Sequence, residues 1–323
     1  MNNDKYDILP SVKSVMENAK HVKINKDKIA ETAGLLKPEL LKQHDKNHWM
    51  SIDDLGLGDL TAENKILFML IAESLNFCFW EKPKWKVEYN GKLHSGTFGL
   101  LYALAKTVQS DPAFLNLDKI NDLSIEDLDE ILKGSRSIPL LQERFAILRQ
   151  LVGEIQRVGS LYNLFIEAET DQELLQIIVD NFQNFRDISV YDGKEVYFFK
   201  RATLLVEDLY QNIPEIKEKI KTTDGLFGCA DYKVPQVLRQ LGVLEYSDEL
   251  AQIVDSEQEL KHDSEMEIEI RAGMVYATEL IKEKLKADGV DASASEIDSA
   301  MWLLSKSPDY KVKPYHLTKT IYY

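Results

Sequence analysis

The segment Ile66 to Ala72 constrains the fold most, because it is too apolar on every side to lie on a protein surface. Thr61 to Asn64 precede it with the residue types that begin a helix, so a core helix is predicted here. The run stops at Glu73 and is much too short to span a bilayer. A chain of 323 residues with 44% hydrophobic content can bury a large core around such a helix.

Most of the remaining chain also shows helical spacing. Pro139 begins a long amphipathic helix that runs to about Arg157. Residues 265–271 alternate acidic and apolar side chains as a strand does, but the following residues continue at helical spacing, so a helix is predicted there as well. No internal repeat, low-complexity linker or Gly-rich phosphate loop is visible. The sequence therefore predicts a mainly α protein in which residues 1–323 form a single helical domain.

Turn signals add detail to this picture. Asn90-Gly91 lies between two short alternating segments, from Trp85 to Ser95, and predicts one minor β-hairpin. Asp192-Gly193 predicts a tight turn before an aromatic run. Lys37-Pro38 is predicted to interrupt the helical pattern of the first 41 residues, because proline cannot donate a main-chain hydrogen bond.

Charge and cysteine content exclude several classes of function. The chain has 39 Lys and Arg against 54 Asp and Glu, a net charge of -15, which opposes binding to duplex nucleic acid and suits a small metabolite or free nucleotide. Cys78 and Cys229 are far apart, and the six histidines form no HExxH motif, so we expect no disulfide framework, no metal and no cofactor. The N-terminal residues lack a signal-peptide core, which predicts a cytoplasmic protein that does not enter a membrane.

Asp231 is the main candidate for a catalytic residue. It lies in the turn before a helix that Pro235 helps to begin and Gly242 ends, and it follows the apolar residues 226–229. A carboxylate at the positive end of a helix stays ionised, and poorly hydrated surroundings suit it to face developing positive charge. The alternative is that Asp231 only caps the turn.

Other polar residues in apolar contexts are candidates for substrate binding. Lys200 and Arg201 follow an aromatic run and can hold an anion such as a phosphate, or can extend their stems over the core. Asn76 lies in the aromatic stretch 75–80 and is either a pocket residue or a satisfied core amide. A Cys229 nucleophile is disfavoured, because apolar surroundings raise the pKa of a thiol and no histidine stands at a suitable spacing.

Several short motifs, in one order along nearly the whole chain, resemble the queuosine salvage family of queuosine 5'-phosphate N-glycosylases. The residues that carry the resemblance are Asn76 to Trp80, Ser95-Gly96, Pro139-Leu140 with Glu143-Arg144, Phe185-Arg186-Asp187, Lys200-Arg201-Ala202, Ala230 to Gln236, Glu267 to Arg271 and Pro314 to Tyr323. The resemblance implies a fold related to helix-hairpin-helix DNA glycosylases. It also implies hydrolysis of the bond between ribose and a 7-deazaguanine base, which releases queuine.

The resemblance implies roles for particular residues. The catalytic carboxylate of the family falls on Asp231, and a carboxylate that reads the amino-cyclopentenediol arm of the base falls on Asp298. His48 is a base-contact candidate by resemblance only. This chain departs from the family at Ser299, where an aromatic residue is usual, and at Leu303, where a second acid is usual. Aromatic residues of the family near Cys229 and Phe98 are also replaced. Cys229 and Ser299 are themselves candidates for substrate binding at these positions.

The chemistry of the implied reaction points to further candidates. Cleavage of an N-glycosidic bond passes through an oxocarbenium-like state, which an ionised carboxylate stabilises. A 7-deazapurine cannot be protonated at position 7, so donors near the base edge are needed, and Asn76 and Tyr232 are candidates by polarity. Asp298 and Trp302 share one face of a predicted helix and together can hold a cationic amine.

Three functions remain open from the sequence. The leading hypothesis is a hydrolase that acts on queuosine 5'-phosphate, on queuosine, or on both. The second is a helical protein that binds a modified nucleoside without chemistry. The third is a glycosylase acting on a different nucleoside or on DNA, against which the net charge argues.

Overall fold

The computed structural model of the protein describes residues 5–43, 51–305 and 313–323. Within these ranges the α-helices are α1 (Ile8–Asn18), α2 (Asp27–Gln43), α3 (Ala62–Ser74), α4 (Thr97–Ser110), α5 (Leu117–Asp122), α6 (Ile125–Ile131), α7 (Leu141–Val158), α8 (Leu161–Phe165), α9 (Asp171–Asn181), α10 (Lys200–Asn212), α11 (Pro214–Ile220), α12 (Lys233–Gln240), α13 (Asp248–Asp255), α14 (Glu265–Ala287) and α15 (Ala294–Leu304). The strands are β1 (Val22–Ile24), β2 (Lys86–Tyr89), β3 (Lys92–Ser95), β4 (Ile188–Tyr191), β5 (Lys194–Tyr197) and β6 (Leu244–Tyr246). The prediction of a mainly α protein is confirmed.

Helix α3 lies in the core, as its sequence predicts. The Thr61 hydroxyl accepts a hydrogen bond from the main-chain N–H of Asn64 at 3.3 Å and so caps the first turn. Every residue from Ile66 to Ser74 is buried, because α3 packs against α4, α7, α8 and α10. Its last turn carries Glu73 into the interior, where an acid needs partners.

Helix α14 shows why residues 265–271 alternate between acidic and apolar types. The segment is helical, and Glu267, Glu269 and Arg271 are as fully buried as Ile268 and Ile270 between them. The helix packs against α1, α2, α12 and α15, so residues 267–271 are enclosed by other elements. The alternation therefore reflects a buried helix whose charges have partners inside the protein, and the prediction of a helix is confirmed.

Within the described residues, the strands form three antiparallel pairs, where the sequence predicts only one hairpin. The predicted pair, β2–β3, turns through Asn90 and Gly91, whose φ angles of 50° and 73° suit a tight hairpin. A second hairpin, β4–β5, uses Asp192 and Gly193 in the same way. The third pair joins β1 to β6 across most of the chain, and local spacing cannot predict such a long-range pairing.

Pro38 does not end its helix, contrary to the sequence-based prediction. Helix α2 continues through Pro38 to Gln43. Its buried residues Ala33 and Leu36 belong to the hydrophobic core, and the helix packs against α14 and α15. This packing outweighs the loss of one main-chain hydrogen bond.

Residues 313–323 pack against the aromatic stretch that follows α3. The carbonyl of Tyr323 accepts a hydrogen bond from the N–H of Cys78 at 2.8 Å, and the indole N–H of Trp80 donates to the carbonyl of Thr318 at 3.0 Å. These bonds bring two regions from opposite parts of the sequence together at one pocket. In the described part of the chain, no helix has the length and apolar character needed to cross a bilayer.

Candidate active site

Asp231 lies where the sequence predicts it, in the turn before α12. Its Oδ1 accepts hydrogen bonds from the main-chain N–H groups of Lys233 at 2.6 Å and Val234 at 3.1 Å. Val237 and Leu238 of the same helix are fully buried and hold α12 in the core. The carboxylate therefore accepts hydrogen bonds at the start of the helix and also lines a pocket, so the cap that the sequence suggests does not exclude a catalytic role.

A pocket opens beside Asp231, with an empty volume of about 680 Å³ that includes its open mouth. Its walls come from the loop after α3, the end of β3 with the start of α4, the start of α10, the loop before α12 with the first residue of α12, helix α15, and residues 313–323. Half of the described residues that line it are aromatic: Phe77, Phe79, Trp80, Phe98, Tyr232, Trp302, Tyr315 and Tyr323. Its polar groups belong to Asn76, Lys84, Ser95, Thr97, Lys200, Asp231 and Lys233. A flat aromatic base with a polar sugar fits such a lining.

Asn76 lines this pocket, but its amide N–H groups are engaged elsewhere. The amide nitrogen donates to both carboxylate oxygens of Glu73 at 3.0 and 3.2 Å, and the amide oxygen accepts from the Thr97 hydroxyl at 2.8 Å. Asn76 is a candidate donor to the base edge by its polarity, but in the structure both its amide nitrogen and its amide oxygen already have partners within the protein. Burial, and then the charge of Asp208, raises the pKa of Glu73 to about 8.

Lys200 is a buried cation at the pocket, with 8% of its surface exposed. Its positive charge opposes the rise that burial causes in the pKa values of Glu73, Asp208 and Asp298. Lys200 is thus placed among carboxyl groups that would otherwise repel one another. Lys84 and Lys233 also line the pocket and are closer to solvent.

Arg201, in contrast, does not line the pocket. Its Nη1 donates to the carbonyls of Glu73 at 3.2 Å and Ser74 at 2.5 Å, and its Nη2 donates to the carbonyl of Asn184. Its guanidinium group is therefore occupied by the main chain at the end of α3. This placement among main-chain carbonyls does not favour the anion-binding role that the sequence suggests for Arg201, and that role stays a prediction.

A second buried arginine, Arg144, binds the main chain around the pocket residue Phe77. Arg144 donates from Nε to the carbonyl of Pro139 at 3.0 Å and from its two Nη atoms to the carbonyls of Leu75 and Phe77. Its guanidinium also stacks on the ring of Phe77 at 4.0 Å. Arg144 and Arg201 together fix the main chain on both sides of Asn76.

Asp298 lies behind the loop that carries Asp231. Its Oδ1 accepts a hydrogen bond from the main-chain N–H of Cys229 at 3.1 Å. Burial, followed by the negative charge of Asp231, raises the pKa of Asp298 well above its ordinary value. Asp298 is not part of the pocket lining, but Trp302 of the same helix is, with its ring 6.0 Å from that of Phe98.

The remaining predicted residues have different placements. Tyr232 lines the pocket, and its ring lies 4.9 Å from that of Tyr315. Cys229 is buried outside the lining, and burial raises the pKa of its thiol well above the usual value, which opposes a nucleophilic role. Ser299 is partly exposed and does not line the pocket. His48 lies outside the described residues.

Some residues of the site were not predicted individually. Lys84, Phe98, Lys233 and Tyr315 line the pocket; Lys233 and Tyr315 lie within the resembling motifs without a role of their own, and Lys84 and Phe98 lie outside them. Arg271 also lies within such a motif, and its Nε donates to the carbonyl of Ala230 at 3.0 Å. Its motif was visible in the sequence, but its contact with the loop of Asp231 depends on the packing of α14.

One group of possible metal ligands occurs among the described residues, and none of its members lines this pocket. His262, Asp263 and Glu267 each offer a donor atom within 4.8 Å of the other two. Glu267 also lies 3.7 Å from the guanidinium of Arg271 and accepts a hydrogen bond from Tyr323. Because a fixed cation already faces Glu267, this group is poorly suited to a second one.

Comparison with known proteins gives a consistent result. The family model described as Queuosine salvage protein matches residues 59–323. A protein of Sphaerobacter thermophilus, named queuosine 5'-phosphate N-glycosylase/hydrolase, is 30% identical over 99% of this chain and 98% of its own length. Proteins with the same name are 30% identical in Dictyostelium discoideum, over 94% of this chain and 95% of theirs, and 28% identical in Mus musculus, over 97% of both chains. The chain therefore belongs to the queuosine salvage protein family.

Proposed function

We propose that this protein hydrolyses the N-glycosidic bond of queuosine 5'-phosphate and releases the base queuine. The observation that carries the proposal is the carboxylate of Asp231, held by two main-chain N–H groups at the wall of an aromatic pocket. The names of the similar proteins supply the substrate. The residues around Asp231 supply the chemical argument.

Asp231 faces the positive charge that develops on the sugar. As the bond to the base lengthens, C1' and the ring oxygen share a positive charge, and a fixed carboxylate beside C1' lowers the energy of that state. The two N–H donors limit the rotation of the Asp231 side chain, so little reorganisation is needed when the charge appears. The same carboxylate can then orient the attacking water or form a bond to C1'.

The aromatic lining holds the base while its bond breaks. The rings of Phe77, Tyr232 and Trp302 offer flat surfaces for a deazaguanine. Lys200 is the buried donor that can support negative charge on the departing base, because the amide N–H groups of Asn76 are taken by Glu73. The Tyr232 hydroxyl is a second donor available at the pocket.

The 5'-phosphate fits the outer part of the pocket. Lys84 and Lys233 line this region and are more exposed than Lys200. A phosphate dianion keeps part of its hydration there while two ammonium groups compensate its charge. This arrangement replaces Lys200 and Arg201 as the proposed phosphate site.

The amine of the queuine side chain is assigned to Asp298. An acid whose pKa is raised by burial and by Asp231 becomes ionised when a cationic amine binds beside it. Trp302, one helical turn further along α15, gives the amine an aromatic neighbour at the pocket wall. The main-chain N–H of Cys229 donates a hydrogen bond to Oδ1 of Asp298 and so holds this carboxyl group beside the loop that carries Asp231.

Incubation with queuosine 5'-phosphate and with queuosine, followed by chromatographic detection of queuine, tests the proposed reaction. Release of queuine from the phosphate by the unmodified protein is the expected result. Tight binding of either compound without any release of base would instead support a protein that only binds modified nucleosides.

A further inference from the structure

Arg271 of α14 holds the main chain immediately before Asp231. Its Nε–H donates to the carbonyl of Ala230 at 3.0 Å, and both residues are fully buried. Its Nη1 and Nη2 donate to the two carboxylate oxygens of Asp187 at 3.0 and 2.5 Å. Asp187 therefore fixes the plane of the guanidinium, and the guanidinium fixes the carbonyl of Ala230.

The same guanidinium contacts another part of the pocket wall. It lies 4.4 Å from the ring centre of Tyr323, which lines the pocket, and 4.0 Å from that of Phe198. The Tyr323 hydroxyl donates to Glu267 at 2.7 Å, and Glu267 lies one turn before Arg271 on α14. One buried side chain thus joins the loop of Asp231 to the wall formed by Tyr323.

The charges around Arg271 support a fixed cation at this position. Asp187 and Glu267 raise its pKa against the effect of burial. Burial alone would favour the neutral acid at Glu267, but His262, Arg271 and Tyr323 keep its pKa below the ordinary value. Arg271 is therefore a cation that lies between the two acids Asp187 and Glu267, and its contacts depend on the planar, forked shape of the guanidinium.

We propose that Arg271 is a positioning residue, which sets the place of the Asp231 carboxylate relative to the pocket wall at Tyr323. This inference rests on the proposed glycosidic cleavage, for which the carboxylate must lie close to C1'. A misplacement of about 1 Å is enough to lower the rate on the order of a hundredfold.

Arg271→Lys keeps the charge and removes the forked contacts with Asp187 and Ala230. Arg239→Lys is the matched control, because Arg239 of α12 forms a two-point ion pair with Asp255 at 2.7 and 2.9 Å without contacting Ala230. With both variants fully folded by circular dichroism, we expect kcat to fall at least about tenfold in Arg271→Lys with KM nearly unchanged. Arg239→Lys is expected to keep both constants within about twofold.

Asp187→Asn provides a second variant if Arg271→Lys does not fold. It keeps the shape of the partner and removes its charge, so kcat is expected to fall in the same direction by a smaller factor. The proposal is overturned if fully folded Arg271→Lys or Asp187→Asn has the same kcat as the unmodified protein. It is also overturned if kcat/KM falls only because KM rises.

A crystal structure of Arg271→Lys gives a readout that does not depend on turnover. We expect the Asp231 carboxylate to shift relative to the ring of Tyr323. An unchanged arrangement of Ala230, Asp231 and Tyr323 contradicts the positioning role. If the unmodified protein releases no queuine, the proposed function fails, while this structural comparison still decides the role of Arg271.

Discussion

Asp298 accepts a hydrogen bond from the main-chain N–H of Cys229, with Oδ1 and N 3.1 Å apart, and so contacts the loop that carries Asp231. The charge of Asp231 acts on Asp298, because burial, and then that charge, raise the pKa of Asp298 well above its ordinary value. A bound amine would relieve this repulsion, because it places a positive charge beside two acids.

Asp298→Ala is therefore expected to cost about 1.5 to 3 kcal/mol in kcat/KM for queuosine 5'-phosphate, the range for a hydrogen bond to a charged group. Slow cleavage of a 7-deazaguanosine 5'-phosphate without the amine should be almost unaffected. Steady-state kinetics on both substrates provide the measurement.

Asp298→Asn controls for the loop, since an amide oxygen still accepts from the N–H of Cys229. If Asp298 binds the amine, Asp298→Asn should lose nearly as much kcat/KM for queuosine 5'-phosphate as Asp298→Ala does. Equal losses on both substrates, or none on either, would show that Asp298 has no recognition role.

Recognition of the 5'-phosphate is assigned to the two lysines near the mouth of the pocket. Lys84→Gln and Lys233→Gln should each raise KM for queuosine 5'-phosphate several-fold more than KM for queuosine, because each removes a charge that only the phosphate uses. Lys200→Gln serves as the comparison and should affect the two substrates alike. A change in KM for the phosphate alone in Lys200→Gln would move the phosphate site into the deeper pocket.

Stability should depend on pH through Glu73. Burial and Asp208 raise its pKa from 4.5 to about 8, so the folded protein keeps a proton that the unfolded chain releases in this range. The group therefore favours folding at low pH, and its contribution is lost as the pH rises from 4.5 toward 8. Each unit of raised pKa corresponds to about 1.4 kcal/mol.

Glu73→Gln removes this titration while preserving shape. The free energy of unfolding of the variant, minus that of the unmodified protein, should become more positive by about 1 kcal/mol or more between pH 5 and pH 8. Urea unfolding at the two pH values measures this difference. The same difference at both would mean that Glu73 does not change its charge in this range.

Two glycines allow opposite predictions about packing. A Cβ on Gly153, inside α7, would meet no atom within 4 Å, so Gly153→Ala should stabilise the protein by about 0.5 to 1 kcal/mol. A Cβ on Gly134 would lie 2.5 Å from the indole nitrogen of Trp85 and 2.6 Å from the carbonyl of Lys86. Gly134→Ala should destabilise by about 1 to 3 kcal/mol. Thermal unfolding of the two variants checks this order, and a reversed order would contradict the packing.

The sequence predicted those features that depend on neighbouring residues. The cap at Thr61, the hairpin turn at Asn90-Gly91 and the place of Asp231 before α12 all follow from local residue types and spacing. Each of these was confirmed, because a cap or a turn is decided within a few residues. The related helix-hairpin-helix architecture remains a prediction.

Features that depend on distant residues were not predictable in the same way. Lys200 and Arg201 are adjacent in sequence, yet only Lys200 lines the pocket, because Arg201 finds the carbonyls of Glu73 and Asn184 in the core. Asn76 has the polarity of a donor, but its neighbour Glu73 takes its N–H groups only once the end of α3 has formed. Polarity indicates that a residue needs partners, and the fold decides which ones it has.

The central claim concerns the charge of Asp231, and Asp231→Asn tests it most directly. An asparagine also accepts hydrogen bonds at a helix start, so α12 should form as before, with a thermal midpoint close to that of the unmodified protein. Binding of queuosine 5'-phosphate should persist while kcat for queuine release falls on the order of a hundredfold or more, as for loss of a group that stabilises transition-state charge. A kcat for folded Asp231→Asn within a few-fold of the unmodified value would contradict the claim.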